Sequence, residues 1–495
     1  MNPTLRNGLL AAIGIAAAVA GGWQIAQEDL FFVGLLGSVL ALWLTSRLTG
    51  VHADVVLAGV LLIGYLVGNR GFAQLSVPKL PLLVGELTLG IGLVAAGWRA
   101  ACTKSLPVRR DALNFILLAW LAFGCARLRF DVRDHGAVAL RDFALLYYAL
   151  FFFLAQGWAA EPAQRRWLER CLTVAFTVAP PVFVAFTFWP DFFMTNFTFV
   201  GVPLVFIKAD VEGGLLVAGI FWCLQRHTTS THSWWLVPAT ANLVAVAACS
   251  SRAALVALVA ACAWPLVCRE WRLVRPLAAI VAVGLSSLAL QAVVTNRPLV
   301  ATPIYRLIEN VASVTDTQGT RVYLANNLDD KPDNNQFRLV WWRAVVDEVW
   351  TEHRWLGLGF GHDLAAEFLR IYYADANEDF SARSPHNFSV TVFGRMGLVG
   401  LGFLLALTVA LGGLLWRAGR QTARGESDGE RFTLGLGAWA ILVSACFGVV
   451  LEGPMGATVF WTLLGLANAT DPDAVHEPEP LVTAEPAPIE AAGAP

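Results

Sequence analysis

Apolar residues in this chain gather into runs of about 15 to 22, parted by short polar turns and by one long polar interval. An α-helix needs about 20 apolar residues to cross a hydrocarbon core of roughly 30 Å. Spans accordingly fall at about 8–22, 30–46, 54–68, 81–98, 112–126, 143–158, 171–189, 213–225, 234–248, 253–268, 276–294, 387–416, 432–450 and 455–467. The short runs 213–225 and 455–467 carry the weakest signal. The pattern predicts an all-α polytopic membrane protein of about 12–14 transmembrane helices with one large, partly helical loop. Residues 1–294 form an N-terminal transmembrane bundle, 295–386 the loop, and 387–468 the C-terminal membrane helices. The first run follows Arg6 without a convincing polar cleavage region, so it is taken as a retained anchor. Residues 469–495 hold six prolines, several acids and no Lys or Arg, the composition of a disordered tail.

Composition sharpens this. With 57% hydrophobic residues, 15% charged residues and a mean hydropathy of +0.59, the chain is no soluble enzyme. Nothing in its net charge of -2 points to nucleic acid. The positive-inside rule orients the spans. With the N-terminus inside, inner segments collect Lys104, Arg109 and Arg110; Arg165, Arg166 and Arg170; Arg269, Arg272 and Arg275; and Arg417, Arg420, Arg424 and Arg431. Both termini then face the cytoplasm and the 295–386 loop faces outward. The eight cysteines lie in or beside apolar runs without CxxC spacing, so neither a disulfide framework nor a metal site is predicted.

Three outer segments carry candidate chemistry. RLRFDVRDHGAVALRD places Arg127, Arg129, Arg133 and Arg141 where the rule disfavours positive charge. Local ion pairs with Asp131, Asp134 and Asp142 are one account, and an anion site led by Arg141 is the other. Segment 190–212 is aromatic, then charged (Lys208, Asp210, Glu212), as if lying along the membrane interface. Arg252 stands at the outer mouth of a helix with no acid within ten positions. A charge at that depth has a partner, snorkels or has a function.

The long loop is rich in aromatic residues, and ordered structure is expected through most of it. Apolar positions 337, 341, 342, 345, 346 and 350 approximate helical spacing, which puts Arg338 and Trp342 on one face and Arg343 elsewhere. Gly357, Gly359 and Gly361 allow tight backbone geometry, and a second short helix is expected over 362–373. NNLDDKPDNN at 326–335 lacks calcium-loop spacing and is taken as a solvated turn. His386, behind Pro385 and before Asn387, stands where polar loop meets membrane helix. Its imidazole titrates near neutrality and suits a general base.

From Phe337 to Leu401 the chain has an Arg-plus-Trp helix, a GxGxG turn, and HN ahead of G-x-x-G-L. This combination resembles the loop signature of the O-antigen ligase and polymerase family; elsewhere the likeness is in architecture only. The resemblance implies a polytopic inverting glycosyltransferase on the outer face of the bacterial inner membrane, with no metal or cofactor. Its donor would be an undecaprenyl-diphosphate-linked glycan, and its acceptor a sugar hydroxyl of lipid A core (ligase) or of another glycan (polymerase). The resemblance makes His386 the essential histidine and assigns Arg252 and Arg338 to the diphosphate, with Arg141 a looser match. Arg343, Asn387 and Trp342 complete the expected substrate-binding set. Departure of a lipid diphosphate without a metal needs Arg or Lys donors, and the chain has 31 Arg against 4 Lys. Lys208, Asp210 and Glu212 stand where the family pattern suggests an Arg-Gly and a Pro-Asn pair.

Three alternatives stay open. A metal-dependent membrane glycosyltransferase would use acids such as Glu28 and Asp29. A cell-wall polymerase would use a loop carboxylate, Asp347 or Glu367. A flippase would show repeats and paired broken helices.

Overall fold

The computed structural model describes residues 30–76, 82–104, 108–249, 251–294, 303–316, 324, 331–372, 383–426 and 428–469. The predicted span 8–22, Glu28 and Asp29, and the tail from 470 lie outside the described residues.

The chain is built from helices. Among them are α1 Leu30–Thr49, α2 Ala53–Ile63, α3 Val84–Thr103, α4 Ala112–His135, α5 Ala137–Asp142 and α6 Ala144–Tyr147. Next come α7 Leu150–Ala159, α8 Pro162–Phe188, α9 Ala209–Thr229, α10 Leu236–Ala248, α11 Arg252–Cys268 and α12 Trp271–Val294. The loop holds α13 Pro303–Thr315, α14 Lys331–Glu352 and α15 Ala366–Tyr372, and the chain closes with α16 Phe388–Ala423, α17 Gly429–Ala445 and α18 Pro454–Asn468. A single two-residue hairpin, Thr198–Phe199 with Val202–Pro203, is the sheet content among the described residues. Every predicted span other than 8–22 coincides with helix. Four stretches, Ala53–Ala73, Ala137–Ala159, Pro162–Phe188 and Phe388–Ala423, are each long and apolar enough to cross a membrane. This is an all-α membrane protein.

Local chemistry sets the boundaries. Asp111 caps α4 by accepting Asn114 N–H at 3.0 Å, and Ser251 caps α11 by accepting Ala254 N–H at 3.4 Å. Pro162 and Pro454 open α8 and α18, where a missing N–H costs nothing. Gly136, at φ 60°, ends α4 and lets α5 turn away.

Helix α9 runs through the centre and is buried without interruption from Val211 to Leu224. Small residues bring its neighbours close: Gly213 faces Ala254, Gly214 faces Ser444, and Gly437 faces Ala218. In a membrane such small-residue contacts supply the van der Waals packing that lipid cannot. Helix α18 is buried along its whole length and packs against α7 and α17. The C-terminal helices therefore share one core with the N-terminal bundle and do not form a layer of their own.

The loop has a smaller core, in which Trp341, Val345 and Val349 of α14 meet Leu364, Phe368 and Phe393. Two expectations shift here. The 326–335 turn is helical from Lys331 onward, because α14 begins there, and the second loop helix starts at Ala366, with a turn over 362–365.

Candidate active site

Helix α16 is broken near its start. Gly397 lies at φ 61° and ψ -153°, opening the helical ladder and freeing carbonyls at 394–395 and amides at 398–399. The GxGxG loop fills the break: Leu358 N–H donates to Gly394 O at 2.7 Å and Gly359 N–H to Arg395 O at 3.2 Å. In return, Leu398 N–H reaches Arg354 O at 2.8 Å and Val399 N–H reaches Trp355 O at 3.2 Å. No side chain fits between the two backbones. A Cβ at Gly357 would lie 2.5 Å from Met396 N, and one at Gly397 would lie 2.5 Å from the Trp355 carbonyl carbon.

The other side of this loop docks on α4 and α5. Asp131 accepts Phe360 N–H at 2.8 Å, Asp142 accepts Gly361 N–H at 2.9 Å, and Arg127 donates to the Leu356 and Gly357 carbonyls. Arg127 also pairs with Asp131 at 3.2 Å, as the ion-pair account of this segment expects. Asp142 does not pair with Arg141. It is taken by buried Arg395 at 2.8 Å and by Arg383 at 3.6 Å.

That exchange leaves Arg141 without an ion pair or side-chain hydrogen bond among the described residues, and it lines a cavity of about 360 Å³. Arg70, Lys208, Arg383, Arg395 and His386 share the wall with Arg141, Asp142 and Glu452 supply its acids, and Ser384 and Thr391 its hydroxyls. Arg383 and Arg395 both pair with Asp142, and Lys208 pairs with Asp210 at 3.2 Å. Arg70 is exposed and stacks on Phe206 at 5.4 Å without an acidic partner. Two arginines therefore offer unsatisfied donors to an anion in the cavity. Glu452 accepts from Thr391 Oγ1 at 2.9 Å, and burial raises its carboxyl above the ordinary carboxylate range.

One buried side chain sets two of these cations. Asn69 Oδ1 accepts the backbone N–H of Arg70 at 2.8 Å and of Lys208 at 3.1 Å, while its Nδ2 donates to buried Glu212 at 2.7 Å. Asn69 thus ties two outer segments together.

His386 is held at φ 56°, a left-handed conformation that a β-carbon disfavours. Asn387 next to it caps α16 through Ser389 N–H and Val390 N–H, and Trp342 Nε1 donates to Pro385 O at 2.6 Å. The cap and the indole hold the backbone on both sides of His386. Its Nδ1 is enclosed without a hydrogen-bond partner, which leaves Nε2 as the nitrogen able to meet a ligand. The imidazole pKa is pushed down to about 4, first by burial, then by Arg338 and Lys208, with Asp210 opposing them. Charge alone would have put the cations first; burial leads instead.

The expected residues divide. His386 and Arg141 line the cavity together. Arg338 stands behind the histidine, donating to Phe447 O at 2.8 Å, and Trp342 and Asn387 position the His386 segment by backbone contacts. Arg252 reaches Ser313 O on α13 at 3.3 Å and is not among the lining residues. The structure does not bring Arg343 in: it lies on the exposed face of α14 beside Asp347 at 3.6 Å, because α14 turns Trp341 and Val345 inward. Asp347 and Glu367 share that outer surface, away from His386. Arg70, Lys208, Arg383, Arg395 and Glu452 were not singled out from sequence as site residues. Arg395, an arginine within an apolar span, was the one with a signal. Among the described residues no three His, Cys, Asp or Glu side chains gather as a metal-ligand set.

Residues 238–405 match a family model described as O-antigen ligase. This stretch is an O-antigen ligase family domain. The domain runs from α10 through the first half of α16 and so contains Arg252, Arg338, the GxGxG loop and His386. Arg70, Arg141, Lys208 and Glu452 reach the cavity from outside the matched residues. No curated relative matches the chain.

Proposed function

We propose that this protein is a metal-independent, inverting glycosyltransferase of the O-antigen ligase type. It moves a glycan from undecaprenyl diphosphate to a hydroxyl of lipid A core at the periplasmic face of the bacterial inner membrane. The observation that carries this is a histidine held in a left-handed conformation on the wall of the same cavity as two unpaired arginines, Arg70 and Arg141. Orientation supports it too: the lining residues come from segments that the alternation of basic residues places outside.

The acceptor oxygen attacks the anomeric carbon from the face opposite the diphosphate. As that bond forms, the bond from carbon to phosphate oxygen breaks and its electron pair leaves with the lipid diphosphate. His386 Nε2 takes the hydroxyl proton, and a neutral imidazole is ready to do so. Arg70 and Arg141 stabilise the charge gathering on the leaving group, where arginine contributes paired donors. Arg395 and Arg383, which share Asp142, hold the loop and wall in place.

The test is transfer by the purified protein from a synthetic polyprenyl-diphosphate glycan to lipid A core, with and without a chelator. The expected product is glycosylated core with inverted anomeric configuration, in equal yield under both conditions. Elongated lipid-linked glycan would make the protein a polymerase of the same family. Loss of product with the chelator would overturn metal independence, and retained configuration would overturn the single displacement.

A further inference from the structure

A second cavity lies far from the first and involves none of its residues. Helix α11 carries the chain from Arg252 about 25 Å along its axis to a tight turn where Arg269 sits at φ 63° and α12 begins. Between α9, α11 and α12 runs a crevice of about 250 Å³, walled by Phe221, Cys262, Leu266, Val274, Leu277 and Val281. Its lining is almost wholly apolar, and it extends on α12 from Leu273 to Val281, about 12 Å of helix. Leu266 is 51% exposed and Val281 36%, so the crevice opens sideways, toward lipid.

The mouth of this crevice is strongly basic. Arg269, Arg272 and Arg275 flank the lining residues Leu266 and Leu273 and are all exposed. None of the three guanidinium groups is within ion-pair distance of an acid among the described residues; the neighbouring Glu270 accepts the backbone N–H of Arg272 at 3.2 Å. Exposed Trp271 in the same turn suits the headgroup layer. The positive-inside orientation puts this turn at the cytoplasmic leaflet, whose surface is anionic.

We propose that the crevice and its arginine turn form a binding site for an anionic phospholipid, with an acyl chain along α12 and the phosphate among Arg269, Arg272 and Arg275. The apolar slot admits a chain of about two helical turns, and the three cations select the headgroup. The site is independent of the transfer reaction and lies at the opposite end of α11 from the proposed donor side.

The probes are phosphatidylglycerol and phosphatidylcholine, each titrated into the detergent-purified full chain and followed by native mass spectrometry. Phosphatidylglycerol should be retained at least tenfold more tightly. Replacing the cations (Arg269→Gln, Arg272→Gln and Arg275→Gln together) should weaken it about fivefold per arginine, on the order of 100-fold in all. Ala278→Phe, which fills the crevice and leaves every arginine in place, should also displace it. Equal retention of the two lipids by the wild-type chain overturns the proposal and needs no variant. Undiminished phosphatidylglycerol binding in the triple variant, or in Ala278→Phe, overturns it as well.

Discussion

Acidification should leave this protein active well below the pH at which an ordinary histidine is lost as a base. The His386 pKa is pushed down to about 4, and its general-base form is the neutral one, so activity is present above that value and lost as pH falls through it. At pH 5.5 about 3% of such sites are protonated, against about 90% for an imidazole at 6.5. The perturbations are Lys208→Gln and Asp210→Asn, which remove one charge of each sign near the ring. Losing the cation should move the acid limb up and losing the carboxylate should move it down. Each shift should be at most about one pH unit, the effect of one charge at roughly 10 Å in a half-buried setting. Burial, the first cause, survives both changes, so both limbs should stay below 6.5. The assay is the pH profile of kcat/KM for glycan transfer, followed by that of kcat. A bound diphosphate brings anionic charge into the cavity, so the kcat limb should lie above the kcat/KM limb. A wild-type limb between 6 and 7, unmoved by either substitution, would refute the reasoning.

Other outcomes follow from the same geometry. Arg70→Gln and Arg141→Gln should each lower kcat/KM about 10- to 100-fold, the loss of a charged hydrogen bond; Arg252→Gln, whose side chain rests on Ser313 O, should cost less than either in the same assay. Asn69→Ala removes three hydrogen bonds and strands Glu212, so thermal unfolding should show a loss of about 2–4 kcal/mol. Its KM should rise as Arg70 and Lys208 lose their register, whereas a purely structural role would leave the KM of the folded fraction unchanged. Gly357→Ala and Gly397→Ala force a Cβ into backbone atoms and should each destabilise by about 2–4 kcal/mol, read as a lowered Tm; Gly402→Ala, with open space around it, should not.

Much of the fold is legible in the hydrophobic pattern, and where it is faint there is a physical reason. The spans with the weakest signal, 213–225 and 455–467, become α9 and α18, which are buried among other helices. A helix that meets protein on every side is selected for small, close-packing residues such as Gly213, Gly214 and Gly465, not for the apolarity that lipid demands. The site divides in the same way. His386 and Arg141 were marked by position, at the junctions of polar loop and apolar helix. Arg70 lies in a short helix, Asn69–Ala73, and Glu452 in a bend, neither with a local motif, and only the convergence of outer segments brings them together. Arg343 lies outside the cavity, on the separate face of α14 that its helical spacing gives it, about 100° from Trp342. Asp142 was one of three acids offered for local ion pairs within 127–142, but the broken start of α16 delivers Arg395 to it instead.

The most direct measurement is the turnover of purified His386→Ala protein, with donor affinity determined separately on the same preparation. The account predicts a turnover lowered about 10²- to 10⁴-fold, the usual contribution of a general base, with lipid-diphosphate binding within about twofold of the wild type. His353→Ala, exposed on the loop beside Glu352, should change neither quantity. Near-normal turnover in His386→Ala, or a loss confined to donor binding, would contradict the assignment of His386 as the base.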